Sequence, residues 1–359
     1  MSGTGRVADL VEVLFGRQVD QGRSLALRVD VGGDLVVERF GARPADDFRP
    51  ELHVDAETPL LSWSMAKSIT HAAVGVLVLD GVLDPSDPAP VPEWADDERS
   101  AITTLQLLEM RSGLRFVEDY VDGDVSHCIE MLFGGTEPSF AHYAAVLPLD
   151  HEPGTVFNYS SGTSNIVSRI VGDLAVGPGG DPEQRSDAIG RFFRTRLFEP
   201  VGMTTASPRF DGAGDVVGSS YVDATAGDFA RFGRLYLNDG VDGSGDRILP
   251  EGWLDHARAP ITHDGDSGFG YGRHWWTWPW FPGSLACHGY EGQFTLVLPD
   301  HDLVAVHLGV TDAAHNRGLV GWLTRIVEAV IDSCPCRLRP VAGRRPAVRR
   351  RRPGPRARS

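Results

Sequence analysis

A serine three residues ahead of a lysine, Ser64-Met65-Ala66-Lys67, is the first place in this sequence where residue types and spacing could do chemistry. If the tetrapeptide opens a helix, the two side chains lie one turn apart on the same face. A neutral amine in that position can accept the hydroxyl proton and make serine a nucleophile. The helix N-terminus adds partial positive charge where negative charge develops. Lys67 is also the only lysine among the 34 Lys and Arg residues. Arginine stays charged in any protein environment, whereas lysine can be driven towards neutrality by burial or a neighbour. A chain that avoids lysine yet keeps one at this spacing needs an amine that can lose its proton.

Two further segments carry suitable groups. Tyr159 sits in Phe157-Asn158-Tyr159-Ser160-Ser161-Gly162, a loop of small polar residues ahead of a helix predicted over 165–174. A phenol beside a cation can act as a base or proton relay, and Lys67 is the cation available. Cys287-His288-Gly289-Tyr290-Glu291-Gly292-Gln293 precedes or opens a strand. Its glycines allow close approach to backbone N–H groups. The N–H groups of Ser64 and Tyr290 are therefore the candidate oxyanion hole. The aromatic run from Tyr271 to Phe281, with Trp275 within it, reads either as a wall of the substrate pocket or as an edge strand with one packed face. Asp119, Tyr120 and His127 are loop candidates for the cleft from position alone.

These groups need a frame. A helix over 7–15 is followed by a hairpin of 24–29 and 35–39 around Gly32-Gly33. A second hairpin, 292–299 and 303–309, precedes a helix over roughly 317–331. A helix and hairpin at each end imply one sheet built from both termini. The middle is mainly helical. Ile69 to Leu79 is apolar on nearly every face, the mark of a buried helix, and Asp80-Gly81 stops it. Helices are also predicted over 103–111 and 229–238. The class is α+β: a sheet lobe from about 7–60 and 240–332, a helical lobe from about 65–235, and one domain over 1–335.

Composition excludes several alternatives. Apolar residues make up 42% and charged residues 23%, the ordinary globular range. No apolar run approaches a membrane span, and the N-terminus does not read as a signal peptide, so a cytoplasmic location is expected. Four cysteines without metal-site spacing are expected to be free thiols, with no metal and no cofactor. The net charge of −15 includes ten arginines after Cys336, so the body is more acidic still. Such a body should avoid nucleic acid and anionic membrane. The Arg/Pro-rich stretch 336–359 reads as a disordered tail, whose partners are open.

The chain resembles the serine β-lactamase and penicillin-recognising family, closest to its class C-like branch of esterases and 6-aminohexanoate-dimer hydrolases. Ser64-Met65-Ala66-Lys67 matches the first motif. Tyr159-Ser160-Ser161 stands where the branch has tyrosine-x-asparagine, with Ser161 departing from the stricter form. Cys287-His288-Gly289 stands where β-lactamases have lysine- or histidine-threonine-glycine, so the substrate-gripping cation is missing or displaced to His288. Supporting blocks extend the resemblance over about 8–331. The resemblance implies a mostly antiparallel sheet packed by terminal helices, a helical lobe, and a site between them. It implies Ser64, Lys67 and Tyr159 as catalytic residues, and Ser161, His288 and Gly289 as substrate contacts beside Trp275 and Asp119. The expected activity is cleavage of a small-molecule ester or amide through an acyl-enzyme. The alternatives are a ligand-binding or slowly acylating sensor and, further off, a β-lactamase or D-Ala-D-Ala peptidase.

Overall fold

The computed structural model describes residues 3–45, 49–119, 125–135, 137–263 and 268–334. Tyr120, Cys336 and the arginine-rich tail lie outside them.

Strands β1 (Arg23–Val31) and β2 (Asp34–Phe40) form the N-terminal hairpin. Gly32 and Gly33 both take positive φ, 60° and 90°, as a two-residue turn matched to strand twist requires. The C-terminal third adds β3 (Thr262–His263), β4 (Gly270–Tyr271), β5 (Trp276–Thr277), β6 (Leu285–Gly289), β7 (Gln293–Leu298) and β8 (Leu303–Val310). The order across the sheet is β2-β1-β8-β7-β6-β5-β4-β3, with every neighbouring pair antiparallel. β1 lies against β8, which joins the two ends of the chain in one sheet.

Six helices matter to the site: α1 (Gly3–Phe15), α2 (Ala66–Leu79), α3 (His127–Phe133), α4 (Ser161–Val176), α5 (Ala226–Leu237) and α6 (Ala313–Ser333). Strand residues alternate between two cores. Leu27, Val29, Leu296 and Leu303 pack with Val11 and Leu14 of α1 and Leu323 and Ile326 of α6 on the outer face. Val297, Val304, Val306 and Leu308 face the opposite way, towards α2 and α5. Both faces are covered, so the strands are apolar on both sides rather than on one. α5 comes close enough because position 233 is glycine; a Cβ there would stand 2.6 Å from Val304.

The elements run longer than the sequence periodicity suggests where polar residues are buried. α2 starts at Ala66 and α4 at Ser161, earlier than predicted, because Lys67, Ser68, Ser161 and Ser164 point into the protein. The predicted 103–111 helix is instead a short turn of helix over Thr104–Leu108, closed at its start by a Thr103–Gln106 capping box. No helix among the described residues is long and apolar enough to cross a membrane.

Candidate active site

Ser64 is presented by a turn that is anchored on both sides. The short strand Leu60–Leu61 pairs with Val222–Ala224, and the Ser62 hydroxyl accepts from the Val222 N–H at 3.0 Å. Trp63 then takes φ +45°, a left-handed conformation that is uncommon for a bulky residue and needs outside support. Its indole N–H donates to Glu291 at 3.2 Å, and its ring meets Tyr290 edge to face at 5.6 Å. The 3-10 turn Trp63–Met65 runs straight into α2.

One turn on, Lys67 is 2% exposed. Its Nζ lies 3.0 Å from Ser64 Oγ, 3.0 Å from Ser161 Oγ and 3.0 Å from the Ser219 carbonyl. Hydrogen-bond accounting orders these three contacts. The Ser219 carbonyl can only accept, which uses one N–H. The Ser161 hydroxyl already gives its proton to the Glu118 carboxylate at 2.6 Å, so it must accept a second. The third direction is Ser64. In the neutral amine, the lone pair therefore points at the Ser64 hydroxyl.

The neighbours of Lys67 are fixed in turn. Asn165 Oδ1 accepts from the Ser219 N–H at 3.1 Å. Gly218 lets that segment lie on the helices, since a Cβ there would meet Thr70 Oγ1 at 2.4 Å and Ser168 at 2.8 Å. His274 joins α2 to α4, its ring nitrogens 3.2 Å from the Lys67 carbonyl and 3.3 Å from Ser164 Oγ. Burial, with the Lys67 charge, pushes His274 down to about 3, so its ring is neutral.

Tyr159 completes the cluster. Asn158 holds its loop by donating to the Phe116 carbonyl at 3.0 Å. The Lys67 Nζ stands 4.8 Å from the Tyr159 ring centroid. Burial raises the phenol above its ordinary value and the Glu118 charge adds to the rise, although the Lys67 charge opposes it. Behind it, Tyr271 packs perpendicular at 5.9 Å and Trp276 at 5.6 Å.

The cleft beside Ser64 is a cavity of about 210 Å³ lined by Trp63, Cys128, Ile129, Leu132, Phe133, Ser220 and Tyr290. It is largely apolar, and α3 forms one wall. Tyr290, 41% exposed, thus shares the cleft with Ser64.

Five sequence expectations are corrected here. Trp275 is fully buried, stacked on Phe232 at 5.9 Å and against Tyr236 at 4.4 Å, so it belongs to the core under α5 and does not line the cleft. His288 faces the outer side of the sheet. It stacks on Trp276 at 5.2 Å among Phe269, Trp278 and Phe294, and its Nε2 is sealed with no hydrogen-bond partner among the described residues. Burial pushes it down to about 3, so it supplies no cation. The inward position on β6 belongs to Cys287, whose thiol burial pushes up. Gly289 serves strand placement, because a Cβ would meet the Ser62 carbonyl at 2.3 Å. Asp119 contributes its backbone carbonyl to the Ser126 hydroxyl at the start of α3 and does not line the cavity. His127 likewise holds the loop, accepting from the Val117 N–H at 2.9 Å.

Sequence reasoning missed Glu118, Asn165, Ser219, His274 and the whole α3 wall. None sits at motif spacing from Ser64, and only the fold brings them there. The Ser126 N-cap ahead of an apolar Cys128-Ile129-Met131-Leu132 pattern was the one local signal for α3.

Comparison with known proteins adds ancestry to this geometry. The sequence pattern of the beta-lactamase family matches residues 12–313. The 6-aminohexanoate-dimer hydrolase of Paenarthrobacter ureafaciens is 27% identical over 327 residues, which are 84% of this chain and 77% of that protein. Among solved structures, a family VIII carboxylesterase superposes with a TM-score of 0.67 at 16% identity, covering 93% of this chain and 98% of its own. The octameric penicillin-binding protein homologue from Pyrococcus abyssi gives 0.68 at 15% identity, covering 93% and 79%.

Proposed function

The chain belongs to the beta-lactamase family of serine hydrolases, and from that premise we propose that it cleaves small uncharged esters or amides through an acyl-enzyme on Ser64. The observation that carries this reading is the hydrogen-bond arrangement at Lys67, which leaves one direction for its lone pair, at the Ser64 hydroxyl 3.0 Å away.

Ser64 Oγ attacks the substrate carbonyl while its proton passes to Lys67 Nζ. The N–H groups of Ser64 and Tyr290 stabilise the oxyanion. The C–O or C–N bond to the leaving group then breaks, and the leaving atom takes the Tyr159 proton. A hydroxyl held above its ordinary pKa is a phenol at neutral pH, so it starts as donor rather than base. Lys67 returns a proton to Tyr159. Water releases the acid by the same route in reverse, restoring the Ser64 hydroxyl.

The cleft supports this substrate class. Its walls of Trp63, Ile129, Leu132 and Phe133 favour an apolar acyl group. The inward position on β6 is a neutral thiol, and His288 is turned away and neutral. Neither can grip a substrate carboxylate, which argues against β-lactams and peptide C-termini.

The test is turnover of a p-nitrophenyl ester series alongside a chromogenic cephalosporin, with Ser64→Ala as control. Ester hydrolysis lost in the variant, with cephalosporin turnover slower by about 100-fold or more in kcat/KM, is the expected result. Cephalosporin turnover matching the esters would overturn the substrate class, and equal activity in Ser64→Ala would overturn the nucleophile.

A further inference from the structure

Glu118 exchanges no proton in the mechanism above, yet its carboxylate is one hydroxyl away from the catalytic amine. Its Oε1 takes the Ser161 hydroxyl proton at 2.6 Å and its Oε2 takes the Ser161 backbone N–H at 2.7 Å. The second bond locks the carboxylate plane, because a backbone N–H can only donate. The first settles the direction of the Ser161 proton. Were that proton free, it could turn to the Lys67 lone pair 3.0 Å away and compete there with Ser64.

We propose that Glu118 is a positioning residue: by holding the Ser161 proton, it keeps the Lys67 lone pair on Ser64. This rests on the acyl-enzyme reading above. A charge-assisted hydrogen bond of this length holds a hydroxyl rotor more firmly than a neutral one.

Glu118→Gln is the discriminating change because its geometry is forced. The amide oxygen must face the Ser161 N–H, which leaves the NH2 group facing the Ser161 hydroxyl. Ser161 then accepts from the amide, and its proton turns to Lys67. The expected result is a kcat for p-nitrophenyl ester hydrolysis lower by about 10- to 100-fold, the range of a partly disabled general base. KM should stay within about threefold.

Ser161→Ala removes the competing proton together with the acceptor, so it should itself lower kcat. In that background Glu118→Gln should cost less than about twofold more, since coupled residues are not additive. An unchanged kcat in Glu118→Gln overturns the proposal. So does the same fold-loss with and without Ser161, the sign of a structural role or of the lost charge beside Tyr159. If Glu118→Gln does not fold, Ser161→Ala still decides: wild-type kcat in that variant overturns the proposal. Absence of Ser64-dependent turnover in the wild type would be a different outcome, the failure of the underlying reading.

Discussion

At the scale of single residues, the proposed catalysis rests on an amine placed 3.0 Å from the Ser64 hydroxyl to take its proton. Lys67→Arg keeps a cation but cannot accept a proton, so kcat should fall by about 100- to 10,000-fold with the fold intact. Circular dichroism and steady-state kinetics on the same sample check both halves. Tyr159→Phe should cost more on an alkyl ester than on a p-nitrophenyl ester, because only the poorer leaving group needs the proton. Equal losses on the two substrates would remove Tyr159 from leaving-group protonation. Ser64, Lys67 and Tyr159 were legible because a helical turn fixes the first pair locally and the polar loop marks the third. Glu118 and Ser219 were not, since Ser219 reaches Lys67 directly and Glu118 reaches it only through Ser161, each from a separate loop. Trp275 and His288 were misread for a physical reason: aromatic and basic side chains near a cleft are legible as types, while the face each occupies is set by strand pairing.

At the scale of elements, α3 and the turn before α2 decide what reaches Ser64. Ile129 and Phe133 face the cavity, and Phe133 is 65% exposed at its mouth. Ile129→Trp should therefore lower kcat/KM for a p-nitrophenyl hexanoate about tenfold while leaving the acetate within about threefold. A uniform loss on both esters would mean that α3 does not contact the acyl chain. Gly289→Ala tests the placement of β6. Its Cβ would push the strand off the Ser62 carbonyl, so both Tm and ester turnover should fall. The buried helix α2 was legible because it is apolar all round, whereas α3 is short and half exposed, with too few buried positions to show a period.

At the scale of the molecule, the sheet joining both termini follows from hairpin and helix signals at each end, and β1 pairing with β8 realises it. The same closed architecture buries imidazoles as neutral groups. His274 and His288 are pushed down to about 3 and His307 to about 4, in each case chiefly by burial. A depressed pKa contributes stability above the unfolded value of 6.5, and that stability is lost as pH falls towards the folded value. For a fully buried group such as His274 the loss at pH 5 is about 2 kcal/mol. Thermal melts should therefore show a lower Tm at pH 5 than at pH 7.5. His288→Phe, which keeps an aromatic ring and removes the sealed nitrogen, should narrow that gap. A Tm independent of pH over this window would contradict the buried neutral state.

The most direct test of the central claim is intact mass after treatment with a fluorophosphonate, read beside hydrolysis of p-nitrophenyl acetate. The account predicts a single stoichiometric adduct on Ser64 and Ser64-dependent turnover, both lost in Ser64→Ala. A wild-type protein that takes no adduct and turns over no ester, while folded by its melting transition, would contradict it.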